Sequence, residues 1–140
     1  VIEKGWEHFS HEADMGVRGF GASKEEAFEQ VAVAMMHVIT DSEIVESKEE
    51  TKVVCEAPDD ELLLADWLNA LIYEMSIQKI IFGRFKVNIT GQHLEGQAWG
   101  EKVDPVRHQP AVEVKGATYT MLKVKQESNG RWVAQCVVDV

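Results

Sequence analysis

Cysteine is scarce in this chain, with 2 among 140 residues, and Cys55 and Cys136 are not in CxxC spacing. Both lie in runs with β-strand patterning. The sequence therefore carries neither a disulfide framework nor a zinc knuckle, and both thiols are read as buried and reduced. Proline is rare as well, at 3, while hydrophobic residues make up 45%. That balance excludes a disordered or fibrous chain and predicts one globular domain over residues 1–140 with a sizeable core. Long apolar runs are missing. The richest stretch, ELLLADWLNALIYEM, is interrupted by Asp66, Asn69 and Glu74, which leaves no bilayer span and no membrane association to expect. No cleavable signal pattern opens the sequence, which predicts the cytoplasm. Basic charge is also in deficit, with 14 Lys and Arg against 24 Asp and Glu and a net charge of −10. A protein that grips nucleic acid alone needs a basic stripe to displace counterions. None is visible, so strong direct nucleic-acid binding is not expected. The acidic surface suits solubility, cation binding, or docking on a positively charged partner.

What is present is a clear order of elements. Residues 4–9 and 15–20 read as short strands on either side of a loop, with Gly19 and Gly21 loosening the second. In SKEEAFEQVAVAMMHVI, Ser23 and Glu26 make a capping box, and Ala27, Phe28, Val31, Met35, Val38 and Ile39 recur at helical spacing. TKVVCEA reads as a strand ending at Pro58. A second helix begins near Asp59, where Asp59, Asp60 and Glu61 favour the positive end of the helix dipole. Its buried stripe is Leu64, Trp67, Leu68, Leu71, Ile72 and Met75. Strands follow over residues 80–89, 93–101, 111–125 and 131–139, the last two joined at Asn129-Gly130, a strong hairpin signal. This order predicts a two-layer α+β fold with two helices packed on one face of a single, largely antiparallel sheet.

Ionisable residues gather in three places. HFSHEADMGVRGFG holds His8, His11, Glu12 and Asp14; WGEKVDPVRHQPAVEVKGATY holds Glu101, Asp104, Arg107, His108 and Lys115; VVDV ends in Asp139 beside Val140. HExxH, paired cysteines and His-x-His are all absent, which disfavours a closed zinc site. A site built from Asp14, Asp139 and a terminal carboxylate would offer only oxygen, which suits Ca²⁺, Mg²⁺ or Mn²⁺. GFGAS has only two glycines of the dinucleotide-binding spacing, and no Walker A sequence occurs. Ser10 lies in no nucleophile elbow.

Taken in order, HFSHEADMGVRGFG, SKEEAFEQVAVAMM, DELLLADWLNALIYEM, GEKVDPVRH, VKGATY and VVDV resemble the archease family over essentially the whole chain. His11, Ala13 and Asp14 match the family's Asp-His-Thr-Ala-Asp loop, with Ser10 and Glu12 as departures. Lys115, Thr118 and Tyr119 match a later Lys-Ala-x-Thr-Tyr-His stretch, with Gly116 and Thr120 as departures. The terminal Asp-aliphatic pair is Asp139 and Val140.

The resemblance implies an accessory protein that assists an RtcB-type, GTP-dependent RNA ligase in tRNA splicing, speeding guanylylation of the ligase and permitting multiple turnover. On this resemblance the chain is expected to act on its partner and not to be an enzyme in its own right. The resemblance also implies that Asp14, Asp139 and Val140 hold a divalent cation, calcium first, with magnesium or manganese as alternatives. Lys115 and His11 fall at positions implicated in acting on the ligase. Two other readings stay open on sequence: a small metal-dependent hydrolase with His11 or His108 as general base, and a protein-binding module indifferent to metal.

Overall fold

The computed structural model describes residues 1–140, and its elements follow from local signals. Strands β1 (Gly5–His11) and β2 (Asp14–Gly21) are joined by a two-residue turn, Glu12-Ala13. The quoted loop is thus much shorter than its polarity suggests, and His11 is paired directly with Asp14. Helix α1 (Lys24–Ile39) starts at Ser23, whose hydroxyl accepts from the Glu26 N–H at 3.1 Å. Glu26 reaches back one residue further than an ideal capping box, to the Ala22 N–H at 2.9 Å. A 3-10 turn at Ser42–Ile44 leads to β3 (Glu49–Glu56). Helix α2 (Asp60–Gln78) is capped by the Asp59 carboxylate, which accepts from Leu62 N–H at 2.8 Å. It ends in a left-handed Lys79 with φ 55°.

Strands β4 (Ile80–Thr90) and β5 (His93–Lys102) form the next hairpin. Residues 104–108, expected to be loop, contain the short helix α3 (Pro105–His108): Asp104 accepts from the N–H groups of Val106 and Arg107, and Pro105 sits where a helix tolerates proline best. The expected strand over 111–125 is mostly irregular and contributes only β6 (Gly116–Ala117) and β7 (Lys123–Gln126). A left-handed Met121, φ 52°, lies between these two pieces. β8 (Trp132–Asp139) completes the chain after the turn at Gly130, φ 92°.

The fold is α+β and every strand pairing is antiparallel. The single sheet expected from sequence is instead two: β1-β2-β8 with β6 and β7 end to end along the far edge of β8, and β3-β5-β4. Side chains from the helices terminate one edge of each sheet. Glu29 of α1 accepts from Val87 N–H of β4 at 2.9 Å, and burial pushes its carboxyl above the ordinary value. Glu61 of α2 accepts from Val124 N–H of β7 at 3.0 Å, and Asn69 accepts from Ala117 N–H of β6 at 2.9 Å. Edge donors satisfied in this way need no further strand. Alternating hydrophobicity marks a strand but does not say which strand lies beside it.

One contiguous cluster of buried side chains nevertheless draws on both sheets and both long helices. Phe28, Val31, Met35, Trp67, Leu68 and Leu71 are fully buried in it, as their spacing predicts. Cys55 of β3 and Cys136 of β8 are buried free thiols there. Each sheet admits its helix at a glycine. A Cβ on Gly19 of β2 would lie 2.3 Å from the Val31 nitrogen of α1, and one on Gly96 of β5 would lie 2.3 Å from the Trp67 ring of α2. Gly19 is therefore a contact point and not a weakness in the strand. The Trp67 indole N–H donates to the Phe28 carbonyl at 3.1 Å, tying the helices together without a buried orphan donor. No helix is long and apolar enough to cross a membrane.

Candidate functional site

The three charged places of the sequence have different fates. Of the histidines near the start, His8 is structural: its Nε2 donates to the Ala34 carbonyl of α1 at 2.7 Å. Beside it the Trp6 and His37 rings stack with centroids 4.3 Å apart, and burial holds His37 below the usual imidazole range.

The second place is an ion-pair staple. Glu101, near the end of β5, is only 4% exposed. Its carboxylate pairs with the Arg107 guanidinium, accepts from the Glu46 N–H at 2.7 Å, and lies 3.6 Å from the Lys48 ammonium. His108 is buried as well. Its Nδ1 accepts from the Asp104 N–H at 2.8 Å, so the ring proton is on Nε2, which donates to Glu101 at 3.2 Å. The Arg107 hydrogen bond is the main reason the Glu101 carboxyl is held down at about 2. Every group here is satisfied internally. The cluster locks α3 and the segment after the 3-10 turn onto β5, and Lys115 takes no part in it. Sequence reading did not find Glu46 or Lys48, which lie more than 50 residues before their partners.

The third place and the remainder of the first come together. β8 runs antiparallel to β2, and Met15 pairs with Val138. One step further along this ladder sets Asp14 opposite Asp139, and antiparallel neighbours are about 4.5–5.5 Å apart at Cα. On its other side Asp139 pairs with Gly116, and its carbonyl accepts from the Lys115 N–H at 2.8 Å. His11, Asp14, Asp139 and Gly116 therefore form a row across four neighbouring strand ends. Asp14 is half-buried, whereas Asp139, Val140 and Lys115 are exposed. None of the ion pairs in the chain uses Asp14, Asp139 or Lys115. No group of three or more His, Cys, Asp or Glu side chains is arranged to hold a metal ion. The row offers two neighbouring carboxylates and main-chain oxygens, a hard donor set.

Two further features flank the row. Glu12, in the tight turn, has φ 54°, where glycine is the usual occupant of a left-handed position. An open groove of about 700 Å³ runs between α2 and residues 110–115, with Asn69, Tyr73, Lys79, Val112 and Lys115 among its walls. Tyr73 and Asn69 were not singled out from sequence. The one available signal was an asparagine in the middle of a long helix, where it costs helix propensity and therefore wants a reason.

Comparison with known proteins agrees with this arrangement over the whole length. The archease protein family matches residues 6–140. The chain is 45% identical to the protein archease of Pyrococcus furiosus over 139 residues, covering 96% of this chain and 98% of that one. It is 41% identical to the Thermococcus kodakarensis protein archease, with the same coverage of both chains. Among solved structures it superimposes on the solution structure of Methanobacterium thermoautotrophicum protein 1598 with a TM-score of 0.85 at 36% identity, covering 97% and 99% of the two chains. A Thermotoga maritima archease, described as a possible chaperone, shares the fold at a TM-score of 0.59 and 19% identity, with 94% of each chain covered. A match that spans both long helices, both sheets and the strand ends carrying Asp14 and Asp139 leaves one assignment: the chain belongs to the archease family.

Proposed function

We propose that this protein is an accessory factor for an RtcB-type, GTP-dependent RNA ligase in tRNA splicing, acting on its partner and not turning over a substrate itself. In this reading Asp14, Asp139 and an oxygen of Val140 hold a divalent cation, calcium in the first instance and magnesium or manganese as alternatives. Lys115 and His11 face the ligase. The observation that carries the reading is the β2–β8 register, whose last pair, Met15 with Val138, brings Asp14 and Asp139 to adjoining strand ends although almost the entire sequence separates them. Two adjacent carboxylates outside the chain's ion pairs, joined by main-chain oxygen, fit a hard cation whose remaining positions are taken by water. When bound, such an ion supplies concentrated positive charge at the surface of an acidic protein.

The chain's own residues do the rest. Asp14 and Asp139 converge from neighbouring strands, so the site is as rigid as the sheet that presents it. The Lys115 N–H holds the Asp139 carbonyl at 2.8 Å, which ties the segment before β6 to the strand end that carries Asp139. The net charge of −10 steers the encounter with a basic cleft on the partner. RNA is delivered by the ligase in this reading, and the isolated protein is expected to bind tRNA weakly at physiological salt.

The test is ligation of a broken tRNA by limiting RtcB-type ligase with GTP, with and without this protein. Stimulation by wild type that is lost in Asp14→Ala and Asp139→Ala supports the reading. Equal ligation with and without the protein sinks it. Phosphoester hydrolysis by this protein alone would favour the hydrolase, and stimulation insensitive to chelators would favour a metal-independent module.

A further inference from the structure

The strand that holds Asp139 on its outer side, β6, is only two residues long. A strand this short frays unless something beyond its neighbour fixes it. Along one edge it is zipped to β8: Gly116 pairs with Asp139 and Ala117 with Val138. The Lys115 N–H meets the Asp139 carbonyl at 2.8 Å, and the Thr118 N–H and hydroxyl both meet the Val137 carbonyl, at 3.0 and 2.7 Å. Along the opposite edge stands one side chain, Asn69 of α2. Its Oδ1 accepts from the Ala117 N–H at 2.9 Å and its Nδ2 donates to the Ala117 carbonyl at 3.2 Å. A single amide therefore satisfies both main-chain groups of one residue, as a neighbouring strand would. Alanine could do neither, and aspartate could do only the first. The cost in helix propensity of an asparagine on α2 is offset by this double bond.

We propose that Asn69 is a positioning residue: through Ala117 it fixes the 115–118 segment against β8, and so sets the strand end that carries Asp139. The inference rests on the cation reading of Asp14 and Asp139 given above. It makes α2 a working part of the site, since the same helix that supplies core side chains also clamps the strand end at the surface. A partner bonded directly to a metal ligand typically changes metal affinity by about 10- to 100-fold when removed, and Asn69, acting through the backbone of the 115–118 segment, is expected at the lower end.

The experiment measures calcium binding by calorimetry, amide hydrogen exchange, and thermal midpoint for wild type, Asn69→Ala, Asn69→Gln and Asp139→Ala. Asn69→Ala should speed exchange of the Lys115 and Ala117 amides and weaken calcium by about tenfold, with core amides of α1 and β2 unchanged. Asn69→Gln retains both hydrogen-bonding groups on a longer stem and should recover part of each loss, which also keeps the test decisive should Asn69→Ala fold poorly. Unchanged calcium affinity in Asn69→Ala, alongside its loss in Asp139→Ala, would overturn the positioning role and leave the cation reading standing. Absence of calcium uptake by the wild type would overturn both.

Discussion

Two charged clusters sit at strand ends in this molecule, one on each sheet, and each is centred on carboxylates, to opposite effect. On the three-stranded sheet, Glu101 is buried, and Arg107, His108, Lys48 and the Glu46 N–H surround its carboxylate. On the five-stranded sheet, half-buried Asp14 and exposed Asp139 lie at adjoining strand ends and enter no ion pair. A cluster whose every donor and acceptor is used has nothing left to offer a ligand, so the first is a fastening. The second keeps its oxygens available. Richness in ionisable residues is therefore a poor guide to function; the useful quantity is how much hydrogen-bonding capacity remains unspent.

The largest expected effect is on the open cluster. Asp14→Ala and Asp139→Ala should each lower calcium affinity by about 100-fold or more, since direct ligands outrank supporting contacts, while the thermal midpoint stays within about 2 °C of wild type. A large fall in midpoint with calcium binding intact would invert the comparison. The closed cluster should behave the other way. Glu101→Ala leaves the buried His108 and the Glu46 N–H without their acceptor and should cost about 2–4 kcal/mol in urea denaturation, with calcium titration unchanged.

Acid should sharpen the same contrast. The Glu101 carboxyl is held down from 4.5 to about 2, so its stabilisation is complete above the unfolded value of 4.5 and is lost as pH falls toward 2. Thermal midpoints followed from pH 6 to pH 2 should drop across that window in wild type and drop less steeply in Glu101→Gln. Equal slopes would show that the pair does not govern acid stability. The smallest effect is at the tight turn: Glu12→Gly relieves a left-handed residue and should raise stability by about 0.5–1 kcal/mol, read by urea denaturation.

Both long helices were legible because their signals are local. Ser23, Glu26 and Asp59 mark the starts, and the apolar spacing identifies the buried faces. Asn129-Gly130 likewise announced the last hairpin. Asp104-Pro105 was an equally local signal for α3 that a polar loop reading passed over. Other features depended on distant residues. The division into two sheets depends on which strands pair, and the contacts of Glu29, Glu61 and Asn69 that satisfy strand edges join residues far apart in the chain, which no window of sequence contains. The stretch over 111–125 has strand composition, yet most of it is held by single contacts, such as Ala111 N–H to the Ile39 carbonyl at 2.7 Å. Asp14 and Asp139 were named through family resemblance; spacing alone could not have joined residues at opposite ends.

Burial pushes the Cys136 thiol up to about 12 and the Cys55 thiol up to about 11, so neither is an available nucleophile while its surroundings stay closed. Because one lies in β8 and the other in β3, each sheet carries its own chemical clock. A thiol-reactive probe added in dilute denaturant labels a cysteine only when that sheet opens, and peptide mapping of the label then reports two opening rates from one untagged, unmutated chain. If the sheets separate as independent units, the two positions label at different rates; if the shared core makes them one cooperative body, the rates coincide.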